Sequence, residues 1–310
     1  MTVVHLDRAL DERYAPLFDG YDVVGPDDSD LSRVEGALVG GALWDGARMD
    51  LAPGLRVLSR MGIGYDGIDL AAATDRGVVV ANAPEAPTVS TAEHAVALMM
   101  HASKSLAANQ RRLRQERGGY GPANEAIELA GKTLGLVGFG RIGARVALVA
   151  QALQMNVVVH DPYVASTPAG IVNTTFEGVL AAADVISAHC PLVPETQRLF
   201  DENAFNSMRR GVVFINASRG GLVDHAALVA ALDNGHVAAA GLDVTEPEPL
   251  SADHPLQGRD NVIITPHIAS STDVGRHRLV EHAAMNLRAA LSGERLATCV
   301  NPAVYQAMGQ

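Results

Sequence analysis

A chain of 310 residues suits two domains better than one, and with 48 % apolar but only 4 % aromatic residues its core must be built from small aliphatic side chains. The formal net charge of −11 argues against nucleic acid or an anionic membrane surface as partner. Two cysteines, Cys190 and Cys299, form neither a disulfide framework nor a zinc motif, so no metal site is expected; residues 1–10 lack the pattern of a signal peptide, and no charge-free apolar run reaches eighteen residues, so a cytoplasmic setting is expected.

The first hundred residues alternate short apolar strands, at 3–6, 21–24, 37–39, 56–59 and 78–81, with helical stretches near 9–18 and 70–75. This is an α/β pattern of its own. A long apolar helix opens at Thr91, with Ala92, Ala95, Val96, Leu98, Met99 and Ala102 on its inner side, and runs toward Arg111 and Arg112. A polar, glycine-containing segment, 118–124, follows it, and helix and segment together read as a domain crossover. Glu93 and His94 on that helix are adjacent and therefore do not face each other, which favours structural or interdomain polar contacts.

The second half is organised around 133–143. The buried strand 133–137 meets Gly138, Gly140 and Gly143 at the spacing G-x-G-x-x-G, and a helical pattern follows over 144–153. Gly138 permits a tight turn, Gly140 lets the backbone approach phosphates, and Gly143 lets helix and strand pack closely. A second strand, 156–160, ends in Asp161, whose carboxylate can accept hydrogen bonds from a ribose and repel a 2′-phosphate. Further strands at 185–188, 212–216, 238–242 and 262–264 complete a doubly wound sheet of roughly six strands. Asp224 suits the N-cap of a helix over 226–232. A last helix, 272–292, is long enough to return to the first domain, where 299–302 can add an extended piece.

Ligands of such a sheet lie beyond the carboxyl ends of its strands. After 212–216 come Ala217, Ser218 and Arg219, and an Arg held by a short turn offers a planar fork to a carboxylate. After 238–242 comes Asp243, facing the cofactor crevice, and then a proline-stiffened loop carrying Glu246 and Glu248. After 262–264 comes His267, a candidate general acid if a carboxylate stands beside it and otherwise a surface histidine. Gly62-Ile63-Gly64 offers N–H groups to a substrate carboxylate or is a plain turn. Trp44 suits pocket wall and packing equally.

Assembled, these residues resemble the D-isomer-specific 2-hydroxyacid dehydrogenases. The likeness runs from Arg56 to Pro302 through four segments in order: 131–143, 216–224, 241–244 and 265–268. The resemblance implies a Rossmann NAD-binding domain, residues 98–284, inserted in a smaller flavodoxin-like α/β substrate domain made of 1–97 and 285–310. It implies that Arg219 binds the substrate carboxylate and carbonyl, that His267 is the acid and base, and that Glu248 rather than Glu246 is its partner. For the cofactor it implies Gly138, Gly140, Arg141, Ile142 and Gly143 at the pyrophosphate, Asp161 at the ribose and Asp243 at the nicotinamide amide. Cys190, Thr196, Ala217, Ser218 and Thr91 complete that lining. Ile63, Gly64 and Ser270 would meet the substrate.

The expectation is therefore an NAD-dependent enzyme, preferring NADH to NADPH, that interconverts a small 2-oxo acid and its D-2-hydroxy acid. A homodimer joined through the NAD domain is implied as well. The Ser270-Ser271 pair resembles reductases of glyoxylate or hydroxypyruvate, and Ile63 stands where similar phosphite dehydrogenases carry Lys. The rival is a protein that uses NAD as a ligand and docks other proteins, as corepressors of this fold do. Their docking tails are not expected here, because the chain opens in a strand and closes soon after its last helix.

Overall fold

The computed structural model describes residues 1–116, 126–307 and 309; the segment 118–124 read as part of the crossover lies outside the described residues. The chain divides into two compact units, residues 1–87 with 272–310, and residues 88–271. Both crossover points fall earlier than the sequence suggests. The reason is that each connecting helix packs along its whole length on one unit. Ala92 and Ala95 of the helix Thr88–Ser103 join the same core as Leu98 and Met99, while Val280, Ala283 and Ala284 of the helix Asp273–Leu291 join that of the first unit.

The first unit carries five parallel strands, β1 (Val3–Leu6), β2 (Asp22–Val24), β3 (Val34–Val39), β4 (Val57–Arg60) and β5 (Val79–Ala81), in the flavodoxin-like order β2-β1-β3-β4-β5. Successive residues enter opposite faces: Ala37 and Val39 pack on one side, Leu38 on the other, which is why these strands read as unbroken apolar runs. Trp44 is wholly buried there, its ring edge against His5, so it is packing. The stretch 9–18 is a 3-10 helix over Glu12–Phe18 rather than an α-helix; Pro16 inside it has no N–H to donate. The extended piece near 299–302 is present: Val300 N–H donates to Val80 O, and Asn301 Oδ1 accepts from Val80 N–H.

The second unit holds seven parallel strands: β6 (Thr133–Val137), β7 (Asn156–His160), β8 (Ile171–Asn173), β9 (Val185–Ala188), β10 (Val212–Asn216), β11 (Val237–Leu242) and β12 (Val262–Ile264). Their order, β12-β11-β10-β9-β6-β7-β8, is that of a Rossmann sheet with a seventh strand appended. The strand missed in the sequence is β8, three residues long with two of them exposed, too short to show a period. Both faces are covered: Val212 and Phe214 enter one core, Val213 and Ile215 the other. The single helix expected from Thr91 is two, Thr88–Ser103 and Leu106–Glu116, parted at Ser105, which takes a φ of 50°. No helix among the described residues is long and apolar enough to cross a membrane.

Candidate active site

The strand order of the second unit reverses between β6 and β9, and around that point the Gly138–Gly143 turn, Asp161, Cys190 and Ser218 follow the carboxyl ends of β6, β7, β9 and β10. Gly138 has φ 96°, and a Cβ there would stand 2.6 Å from Cys190 N, so only glycine fits the turn. A Cβ on Gly143 would meet Gly138 O at 2.5 Å, whereas one on Gly140 would meet no protein atom within 4 Å. The three glycines thus divide the labour expected of them: turn, open approach and close packing. The helix Arg141–Ala152 begins at Gly140 with no side-chain cap, so its first turn, including Ile142, presents N–H groups and the positive end of the helix dipole to that open side. This cradle fits a pyrophosphate. Asp161 is tied to it, its carboxylate accepting from Phe139 N–H (2.8 Å) and Tyr163 N–H (2.9 Å).

Beside the glycine turn, Cys190 is buried and its thiol is pushed up to about 12 by that burial, so it packs rather than reacts. Ser218 Oγ donates to Cys190 O at 2.6 Å and couples the ends of β9 and β10. Thr196 Oγ1 donates to Pro191 O at 2.7 Å and fixes the following 3-10 turn. Ala217 is buried, as is Thr91 on the first turn of its helix. Asn216 carries no expected role from its sequence context, yet it shapes the next turn: its Oδ1 accepts from Ser218 N–H (3.0 Å) and its Nδ2 donates to Arg219 O (2.8 Å). An amide closing an otherwise apolar strand was the available signal.

Arg219 precedes Gly220, which lies flat against the 245–246 backbone, since a Cβ there would come within 2.2 Å of Thr245 O. That close approach sets the arginine turn against the loop bearing Glu248. Glu248 Oε1 accepts from Thr245 N–H (3.1 Å), and Oε2 lies 2.9 Å from His267 Nδ1. Burial raises the Glu248 carboxyl, but His267, Thr245 N–H and the charge of Arg219 outweigh it and hold it below the usual carboxylate range. His267 is half-exposed and takes φ 52°, a left-handed backbone that a residue with a Cβ adopts only when held.

Asp243 does the holding, and here the structure departs from the expectation of a carboxylate facing the crevice. Asp243 is 1 % exposed. Its Oδ1 accepts from Thr265 Oγ1 (2.6 Å) and Ile268 N–H (2.9 Å), its Oδ2 from Ala269 N–H (2.8 Å), and its main-chain carbonyl from His267 N–H (2.8 Å). Burial raises this carboxyl too, but the bonds from His94, Thr265, Ile268 and Ala269 bring it below its ordinary value. Ser270 follows directly on this turn. Ile63 and Gly64 belong to the first unit, in the turn after β4, where Ile63 O accepts from Asn82 Nδ2 at 2.8 Å.

Residues 96–269 match the family described as "D-isomer specific 2-hydroxyacid dehydrogenase, NAD binding domain". The chain belongs to that family. A D-3-phosphoglycerate dehydrogenase of Archaeoglobus fulgidus is 46 % identical over 234 residues, 74 % of this chain and 44 % of its own. A solved structure from Thermus thermophilus superposes with TM-score 0.89 at 37 % identity, covering 96 % of this chain and all of that one. An NADPH-dependent glyoxylate/hydroxypyruvate reductase of Sinorhizobium meliloti does so with TM-score 0.87 at 31 % identity, covering 97 % and 99 %. This member of the dehydrogenase family spans less than half the length of the curated relatives it matches.

Proposed function

We propose that the chain is an oxidoreductase that interconverts a small 2-oxo acid of glyoxylate or hydroxypyruvate type and its D-2-hydroxy acid, with NADH preferred to NADPH. The observation that carries the reading is the 2.9 Å bond between His267 Nδ1 and Glu248 Oε2 on a turn beside Arg219. Bound NADH would supply the hydride to the carbonyl carbon. With Nδ1 held by Glu248, His267 has Nε2 to give a proton to the carbonyl oxygen, and to take one from the hydroxyl in reverse. Glu248 Oε2, 2.9 Å from Nδ1, fixes the plane of the ring. Arg219 pairs its fork with the substrate carboxylate and polarises the carbonyl, with the Ser270 hydroxyl as a further substrate contact.

The glycine turn with Arg141 and Ile142 would hold the pyrophosphate, and Cys190, Thr196, Ala217, Ser218 and Thr91 would line the rest of the cofactor site. Asp161 supports the preference for NADH, because its anionic oxygens accept from ribose hydroxyls and repel a 2′-phosphate. Asp243 would act on the nicotinamide end by shaping the 265–269 turn. The family resemblance supports a homodimer joined through the nucleotide-binding unit, and the cysteine usage and N-terminal sequence pattern support a cytoplasmic setting; sedimentation of the purified chain and cell fractionation test them. A second reading, oxidation of D-3-phosphoglycerate, is favoured by the name of the Archaeoglobus relative.

The deciding assay follows NADH and NADPH absorbance against glyoxylate, hydroxypyruvate and pyruvate, and NAD reduction with D-3-phosphoglycerate. Rapid NADH oxidation by glyoxylate or hydroxypyruvate is the expected result. Turnover of D-3-phosphoglycerate alone would move the substrate class, and NADH binding without any turnover would favour a protein that uses NAD as a ligand.

A further inference from the structure

His94, adjacent to Glu93 on the helix Thr88–Ser103, has no part in the chemistry above. Its side chain is only 20 % exposed and reaches the ends of β11 and β12 within the same unit. Nε2 lies 3.0 Å from Thr265 Oγ1 and 3.3 Å from Asp243 Oδ1. The Thr265 hydroxyl has one hydrogen and donates it to Asp243 Oδ1 at 2.6 Å, while an ionised carboxylate has none to give. His94 Nε2 must therefore carry a proton and donate into the pair. Proton by proton, the chain runs from His94 to Thr265 to the Asp243 carboxylate, which also receives the N–H groups of Ile268 and Ala269, while the Asp243 main-chain carbonyl receives that of His267.

These bonds constrain one residue above all. His267 sits at φ 52°, where a side chain with a Cβ persists only if its surroundings over-determine it. We propose that His94 is a positioning residue for His267: its Nε2–H completes a donor chain through Thr265 and Asp243 that locks the 265–269 turn and so aims the imidazole. The proposal rests on the reading of His267 as proton donor. His94 itself touches no reacting atom in this scheme. Without its N–H, a buried carboxylate loses a donor, the turn gains alternative conformations, and the ring spends less time in line with the carbonyl oxygen. Its signature is a loss in kcat that exceeds any loss of cofactor affinity, because the glycine cradle for the pyrophosphate is built by other strands.

The test compares the full chain with His94→Ala, His94→Gln, Thr265→Val and the double variant His94→Ala/Thr265→Val. His94→Ala should lower kcat roughly 10- to 100-fold, the range expected of a small misplacement of a catalytic group, with a smaller change in the NADH dissociation constant. His94→Gln, which restores an N–H donor, should recover most of that loss. Thr265→Val keeps the shape but breaks the link, and carries the same expectation should His94→Ala not fold. The double variant should be no worse than the poorer single one, since a chain is broken only once. Wild-type kcat in both single variants, or losses that multiply, would overturn the proposal. Amide exchange at Ile268 and Ala269 gives a readout that needs no substrate: it should quicken in His94→Ala and Thr265→Val but not in His94→Gln. If the unmodified chain neither reduces a 2-oxo acid nor oxidises D-3-phosphoglycerate, the hydride-transfer reading falls. Exchange then decides the positioning role alone, and unchanged protection in His94→Ala would sink it.

Discussion

Two turns at the carboxyl end of the same sheet place the main chain in a left-handed conformation, by opposite means. At Gly138, φ 96° comes without steric penalty because there is no Cβ, and the close neighbours Cys190 N and His189 C simply occupy the space. At His267, φ 52° is imposed on a residue whose side chain is needed, and Asp243, Thr265 and His94 supply the bonds that hold it there. The first turn is a shape for a ligand's backbone approach; the second is an aimed side chain. A shape is encoded locally, whereas aim requires support from distant residues.

The largest expected effect separates the two turns outright. His267→Ala should reduce kcat by roughly 10²–10⁴-fold, the usual contribution of a general acid, while NADH still quenches protein fluorescence at the original concentration. Loss of NADH binding in that variant would show that the turns are not independent. Gly138→Ala makes the converse test. A methyl group 2.6 Å from the Cys190 backbone, on a left-handed residue, should destabilise the chain by about 3 kcal/mol in urea unfolding and weaken NADH binding.

Acid should tell the turns apart next. His189, whose backbone abuts Gly138, has its imidazole pushed down to about 4 by burial, and its Nε2 lies 2.9 Å from Ser187 Oγ. Below the ordinary value of 6.5 the unfolded chain binds a proton that the folded chain refuses. Stability should therefore fall as pH drops from about 6.5 towards about 4, by at most about 3 kcal/mol, and His189→Gln should flatten that slope in denaturant titrations. Asp243 and Glu248 act in a different window. Their carboxyls are held below the ordinary carboxylate range, so the stability they contribute is present above that range and is lost as pH falls below it, through the lowered folded values. The smallest effect is the sharpest for the comparison. His267→Gly should be inactive yet more stable than His267→Ala by about 1 kcal/mol, because glycine accepts the left-handed backbone. Equal unfolding midpoints would mean that the turn carries no strain.

Much of the frame is legible in the chain. Apolar runs of three to five residues separated by helical periods specify two parallel α/β sheets, because strands covered on both faces need no polar alternation. The glycine spacing followed by a helix specifies the cradle. Glu248 is different: residue types alone leave it level with Glu246, and only the family likeness favours it, whereas the structure shows its Oε2 against His267 Nδ1.

What the sequence by itself determined is thus whatever depends on near neighbours: strand runs, the cap at Asp224, and the Gly138–Gly140–Gly143 turn. Only the tertiary structure decided where the units divide, that Trp44 is core, that Asp243 turns inward, and that His94 meets Thr265 across 171 residues of chain. The physical reason is that a hydrogen bond between distant residues leaves no periodicity in sequence. Adjacent residues on a helix point different ways, so Glu93 and His94 look like a pair on paper, while the partners of His94 lie at the ends of strands that are brought to it by packing.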